Sequence, residues 1–577
     1  MKKKILSIMP FLLFTAVIVN AQEPTNYRGA FAPAPVAQWT DNWTNYDPQN
    51  AFYAAPTVTV SGVITANTTW TKNNVYLLQG VVYVDDLVTL TIEAGTVIRG
   101  DANTVISSLI VQRGATIIAN GTPCNPIVFT SSKAIGARVR GDWGGLTILG
   151  KGITNQGTNV NVEGIGAGEP RARYGGINNA DNSGSLKYIR IEYAGFAIAA
   201  GNELNSLTFG GVGSGTTVDF IQTSFGNDDA FEWFGGAVNC KHLVAYRTLD
   251  DDFDTDFGYS GLVQFGLGIK DPTISDDPAI STSEGFESDN NGTAPFTPTP
   301  KTSASFYNIT QIGAFRCTSN VPSVTQPTAL AFRRGARLRR NTQLKIFNSI
   351  LMNNWRGLVM DADVIANSAT PGGAAFQNNI IAMNYAFTST VSGATGLALA
   401  AENAGTSTYL TAAANTNTIV STPCDVLVNA WNFLNPDYRP NGVGTGAALV
   451  GSDLTPGLNL ETSLFSDVST KSLTVDLFEN GIGNTNGTIT VTIFVPSAFT
   501  VTPLANPDWT FTVAGNNVIA TSKPGFVITQ NSSATLNFTI NRKVGVGASV
   551  QNLSVSVSGG SDAILDNNSI LSAVTAQ

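Results

Sequence analysis

Two stretches of this chain repeat one another without sharing much identity: VDFIQTSFGNDDAFEWFGG (218–236) and CKHLVAYRTLDDDFDTDFGYSG (240–261). Asp228-Asp229-Ala230-Phe231 returns 22 positions later as Asp250-Asp251-Asp252-Phe253, and Phe234-Gly235 returns 23 positions later as Phe257-Gly258. A unit this short cannot bury its own apolar face, so it gains stability only by stacking on similar units. Strand-like stretches of the same character lie at 186–195 (LKYIRIEYAG), 304–315 (ASFYNITQIGAF), 344–354 (LKIFNSILMNN) and 376–384 (FQNNIIAMN). Short alternating segments, broken by Gly and Asn that accept positive φ, predict a parallel β-helix with Ile, Val, Leu and Phe turned inward. Asn308, Asn348 and Asn379, each just ahead of an Ile, are expected to stack as amide ladders inside the coils.

This pattern sets the domain plan. At 577 residues the chain exceeds one ordinary compact domain, a limit that a stacked repeat escapes. The fold class expected is all-β: a right-handed parallel β-helix over 61–465, then an immunoglobulin-like β-sandwich over 466–577. The sandwich rests on period-two segments such as LTVDLFENG, GTITVTIFVP and SATLNFTINRK, which turn residues separate. Residues 22–60, rich in Pro, Trp and Asn, are expected to wrap or cap the first coil. The stretches at 290–304 and 393–418 read as projecting loops, the second Ala-rich enough for a short helix.

The first 21 residues have the form of a secretory signal: Lys2, Lys3 and Lys4, an apolar run from Ile5 to Val19, then small residues. The expected location is therefore outside the cell, secreted or on the outer surface of a Gram-negative bacterium. Beyond this leader no apolar run is long enough for a spanning helix. A net charge of −9 argues against nucleic acid or anionic membrane as partner. Cys124, Cys240, Cys317 and Cys424 form no CxxC, and His242 is the single histidine, so no zinc site is expected. Gly runs such as GVGSGTT, without a strand-then-helix setting, read as turns and not as a nucleotide loop. Core positions or one long-range disulfide account for the cysteines.

The stretches RGDWGGLTILGKG (140–152) and NDDAFEWFGGAVNCKHLVAYRTLDDDFDTDFGYSGLVQF (227–265) carry a resemblance. Over residues 60–460 the chain resembles a family of secreted and cell-surface proteins common in Bacteroidota. The resemblance implies a right-handed parallel β-helix outside the cell. The C-terminal residues resemble immunoglobulin-like modules of bacterial surface proteins.

Four constellations could carry chemistry. On a strand, Asp252, Asp254 and Asp256 share one face and Phe253 and Phe257 the other, and the repeat stacks Glu232 by Asp254 and Asp228 by Asp250. Carboxylates stacked at strand spacing, about 4.8 Å, either rise in pKa or recruit a cation. Asp228, Glu232, Asp252, Asp254 and Asp256 are the metal candidates, and Ca²⁺, which takes six to eight oxygen ligands, is the cation that fits. Asp228, Asp229, Asp250 and Asp251 are the catalytic candidates, because inverting glycosidases of this shape need close aspartates. The RRGARLRR run offers Arg333, Arg334, Arg337 and Arg339, either to grip an acidic glycan or to pair with the acidic coils. Trp233 and Trp355 could stack on sugar rings or pack in the core. The favoured function is a non-enzymatic glycan- or ligand-binding or adhesion component of the cell surface, stabilised by Ca²⁺ and meeting extracellular polysaccharide. A polysaccharide lyase or glycoside hydrolase is the alternative, and a purely structural surface protein the third reading.

Overall fold

The computed structural model describes residues 23–576 apart from short stretches, the longest at 323–333, 383–404 and 442–453. Two long parallel sheets, of 17 and 10 strands, wind around one axis. A coil runs through a long-sheet strand such as Thr217–Ser224, crosses to Phe231–Phe234 in the second sheet, and returns at Asn239–Tyr246 to begin the next. The repeat seen in the sequence is the register: Phe231 pairs with Phe253 and Glu232 with Asp254, while Val218 pairs with Cys240. Inward residues from every coil join a single core that includes Phe209, Trp233, Phe253 and Phe306.

Each long strand in the middle coils bends at one residue in left-handed backbone: Tyr188, Phe220, His242, Phe265 and Asn308, with φ between 49° and 62°. The ladder pairing skips these positions, and the bend gives each coil a third face. Left-handed backbone costs about 1–2 kcal/mol for such residues. Ring stacking up the column offsets it, at 4.4 Å for Tyr188 on Phe220, 4.2 Å for Phe220 on His242 and 5.0 Å for His242 on Phe265. His242 also lies 2.7 Å from Asp219 through Nδ1, so it is a polar strand residue with a structural contact. An amide ladder exists here too, since Asn378 Nδ2 donates to Asn348 Oδ1 at 2.7 Å. That pair lies at the bend, and Asn308 points outward, donating to the Tyr27 carbonyl. Asn379, in contrast, is fully buried and continues a ladder from coil to coil: its Oδ1 accepts from the Ser349 backbone amide at 2.8 Å, and its own backbone amide donates to Asn417 Oδ1 at 3.0 Å.

The N-terminal segment differs from the expected cap on the first coil. It runs lengthwise over the outside of the long sheet. Arg28 donates to Thr418 at 2.9 Å, Asn45 to Gln222 at 2.8 Å and Tyr53 to Glu192 at 2.8 Å, so the chain crosses coil after coil back toward the start. Trp39 and Trp43 meet the aromatic column at His242 and Phe220. The Asp-Trp-Gly-Gly turn packs Trp143 against Phe129, leaving no room for a side chain at Gly100, where a Cβ would lie 2.4 Å from that of Trp143. Cys240 is a buried free thiol and Cys124 an exposed one; the side chains of Cys317 and Cys424 lie outside the described residues.

The C-terminal part is a sandwich of a four-stranded and a six-stranded sheet. Leu473, Val475 and Leu477 of one pack with Ile489, Val491 and Ile493 of the other. It begins earlier than residue 466, because Leu454–Leu460 pairs antiparallel with Lys471–Glu479. Pro456 and Gly457 break the alternation there and hide the strand in the sequence.

Candidate functional site

Period-two alternation on the second sheet produces the site. Phe231, Trp233, Phe253, Thr255, Phe286 and Ser288 point inward, so the residues between them point outward. Along one outward column Glu232, Asp254, Glu287 and Arg337 follow one another in register from coil to coil. Three carboxylates thus stack before the first guanidinium. Alternation carries Asp256, Asp289 and Arg339 along a neighbouring column, and Asp289 donates its backbone N–H to the Thr255 carbonyl.

At the corner before these strands a second ladder fastens the coils. Asn205 Oδ1 accepts from the Asp229 amide at 3.1 Å, Asp229 Oδ1 from the Asp251 amide at 2.8 Å, and Asp251 Oδ1 from the Glu284 amide at 2.5 Å. Asp229 and Asp251, candidates for catalysis in the sequence, therefore each commit an oxygen to the next coil's backbone. Asp228 and Asp250 lie beside them. Ligand oxygens of Asp228, Asp229 and Asp250 fall within 4.8 Å of one another, and so do those of Asp229, Glu232 and Asp254. The Asn205 amide donates to Glu232, and Asp254 Oδ1 is buried without a hydrogen-bond partner.

Burial, reinforced by neighbouring carboxylates, pushes Asp228, Asp229, Glu232 and Asp254 well above the usual carboxylate range. For Asp228 the main neighbour is Asp250, for Glu232 it is Glu163, and for Asp254 it is Asp256. Only Asp254 has a cation, Arg339, among the larger influences upon it. Glu163, brought in by the segment between the long coils, is itself raised to about 7 by burial and by Glu203.

Several sequence expectations change here. Asp252 does not join Asp254 and Asp256: the chain is still turning at that residue, and its carboxylate points into the molecule, 3.2 Å from Lys270 and 3.3 Å from Gln311. It is half of a buried ion pair and stands in neither of the close carboxylate triads. Asp256 accepts from the Phe257 amide at 2.6 Å and belongs to neither close triad. Phe257 leaves the core and stacks on Phe234 at 5.4 Å. Trp233 is fully buried, as alternation with Phe231 requires, and offers nothing to a sugar. The arginines are engaged next door: Arg334 with Glu284 at 2.5 Å, Arg337 with Glu287 at 3.3 Å, Arg339 with Glu287 and Asp289, and Arg340 with Asp289 at 2.6 Å. Arg333 and Trp355 lie outside the described residues.

Residues 284–289 were missed. They repeat the Phe-acid-x-acid pattern as Phe286, Glu287 and Asp289, but at an offset of 33 from Phe253, because a longer loop intervenes. A search on the motif, free of the fixed period, would have found them.

The model of the pectate-lyase-like β-helix domain matches residues 62–431. The chain belongs to that family. This pectate-lyase-like β-helix is also similar to solved structures, at low identity. The Dettilon tailspike protein is 10% identical over 83% of this chain and 88% of that one, with a TM-score of 0.21. The major pilin SpaD from Corynebacterium diphtheriae is 9% identical over 22% of this chain, which spans 33% of the pilin, with a TM-score of 0.17. A cohesin module from a Clostridium perfringens glycoside hydrolase is 13% identical over 22% of this chain and 98% of the module, with a TM-score of 0.18. At these scores the likenesses carry no argument. No curated protein matches the sequence. Among the described residues no helix is long and apolar enough to cross a membrane.

Proposed function

We propose that this pectate-lyase-like β-helix is an extracellular ligand-binding protein whose acidic ladder holds Ca²⁺ and meets a glycan through it. One observation carries the reading. The oxygens of Asp228, Asp229 and Asp250, and those of Asp229, Glu232 and Asp254, come within 4.8 Å of one another on a sheet where Arg334, Arg337 and Arg340 pair with other carboxylates. Ligands on opposite sides of a Ca²⁺ ion at about 2.4 Å stand about 4.8 Å apart, so each triad has the right span. Carboxylates at two adjacent coils would then be bridged by the ion, which stiffens the stack. Open positions on the ion would take hydroxyl or carboxylate oxygens of a sugar. The leader-like N-terminus supports a location outside the cell.

Calcium titration of the EDTA-stripped protein by calorimetry tests this. Saturable binding that Asp254→Asn weakens supports the reading, and an absence of heat sinks it. A glycoside hydrolase is the second reading, favoured by the paired carboxylates whose pKa values lie far apart from solution values. Release of new reducing ends from a panel of acidic polysaccharides would establish it, and silence across the panel would remove it.

A further inference from the structure

The long-sheet strands end in a second column of left-handed residues: Tyr193 (φ 63°), Phe225 (φ 54°) and Arg247 (φ 57°). Together with Gln49, Arg138 and Arg140 they line an open cleft of about 440 Å³. None of these residues belongs to the acidic ladder. We propose that this cleft binds a sugar unit carrying a sulfate or phosphate ester.

Charge is the first argument. Arg138, Arg140 and Arg247 line the cleft, and Asp271 is the single carboxylate in its lining. That carboxylate accepts from Arg140 at 2.8 Å and lies 2.9 Å from Arg247, so it balances one of their two positive charges, while Arg138 donates to the Pro48 and Ala51 carbonyls and stands by Glu192. A basic cleft of this kind stands out on a chain of net charge −9. Two more carboxylates stand close behind Tyr193 but face other partners. Glu192 accepts from Tyr53 and Thr130, and Asp47 accepts from Asn50. A single carboxylate ligand is matched by one guanidinium fork. Two guanidiniums from separate chain positions, Arg140 and Arg247, share one carboxylate and keep a net positive charge. Together they present more donors than one carboxylate takes, which suits the several outward oxygens of a tetrahedral ester.

The second argument is the floor. Phe225 stacks on Tyr193 at 5.6 Å, and the guanidiniums of Arg140 and Arg247 each lie 5.1 Å from the Phe225 ring centre. Arg140 is further tied to the Gly226 carbonyl at 3.2 Å. The cationic groups are therefore held in place before any ligand arrives, which lowers the entropy lost on binding.

The third argument is unmet hydrogen bonding. Tyr193 is 3% exposed, yet its hydroxyl has no hydrogen-bond partner, and neither has Gln49 Oε1. Burying such groups unpaired is unfavourable, and the hydroxyls of a sugar ring supply both a donor and an acceptor. The cleft volume lies within the roughly 300–1,000 Å³ usual for small-molecule sites.

Calorimetry on the full chain in EDTA tests the proposal separately from the calcium reading, because the ladder is then stripped. The probes are sulfated galactose, phosphorylated mannose, chondroitin and heparin oligosaccharides, their desulfated forms, and inorganic sulfate alone. The expected result is binding of at least one ester-bearing sugar, with the desulfated or dephosphorylated sugar and free sulfate each at least about tenfold weaker. Tyr193→Phe removes only an unpaired hydroxyl, so it should keep the melting temperature and weaken binding about three- to tenfold. The double variant Arg113→Ala, Lys151→Ala, in another basic hollow, should bind as the wild type does. No binding to any ester-bearing sugar, equal affinity for free sulfate, or an unchanged affinity in Tyr193→Phe would overturn the assignment. Equal loss in the distant double variant would overturn it as well, by showing diffuse attraction.

Discussion

The outward face of the second sheet has two halves built on the same alternation but balanced differently. Downstream, Glu284, Glu287 and Asp289 meet Arg334, Arg337, Arg339 and Arg340 from the next coil. Upstream, Asp228, Asp229, Asp250, Glu232 and Asp254 meet chiefly one another. Stacking parallel strands in register places like residues at about 4.8 Å, so an acidic column is relieved by holding protons or by cations from the chain or from solution. The downstream half encodes its cations as arginine. Among the described residues the upstream half has one cation acting strongly on its triads, Arg339 upon Asp254, and this imbalance is the physical basis for the proposed ion.

Removing one encoded cation should have the largest effect. Arg334→Ala leaves the fully buried Glu284 without its guanidinium, and should cost about 3–5 kcal/mol, read by chemical denaturation, whether or not calcium is present. An unchanged midpoint would show that the two halves are balanced alike. For the upstream half, calcium at one hundred times its Kd should stabilise by about 2.7 kcal/mol, and Asp254→Asn should abolish most of that gain while leaving Arg334 pairing untouched.

Acidity gives a smaller contrast. Burial and Glu203 raise the Glu163 carboxyl from 4.5 to about 7 in the folded chain. A raised pKa means its stabilising share is full below about 4.5 and is lost as the pH climbs through about 7. In EDTA the melting temperature should therefore fall between pH 5 and pH 8, and Glu163→Gln should flatten the fall; a rise over that range would contradict the sign. The smallest effect belongs to Arg337→Ala. Its side chain is 27% exposed and Glu287 keeps Arg339, so the loss should stay under about 1 kcal/mol.

Much of this was legible in the sequence, and the misses have physical causes. The 22-residue offset is the strand register itself, so Phe231 on Phe253 and Glu232 on Asp254 were readable. The same alternation assigns Trp233 inward with Phe231, although an aromatic beside a glutamate suggested a sugar platform. Asp252 was misplaced because alternation holds only on the strand, which begins at Phe253. The third acidic strand escaped a fixed-period search because loop length varies between coils while strand pairing does not. The route of residues 25–54 is set by distant partners such as Glu192, Gln222 and Thr418, which no local pattern reveals. The cleft at Tyr193 has the same origin, since Arg138, Tyr193, Arg247 and Asp271 come from four different segments.

Calorimetric titration of Ca²⁺ into the EDTA-stripped chain, beside Asp254→Asn and Arg337→Ala, tests the central claim most directly. The contrast between the halves predicts saturable binding in the wild type, the same in Arg337→Ala, and a loss of at least about tenfold in Asp254→Asn. Equal binding in the wild type and Asp254→Asn, or none in either, would contradict it.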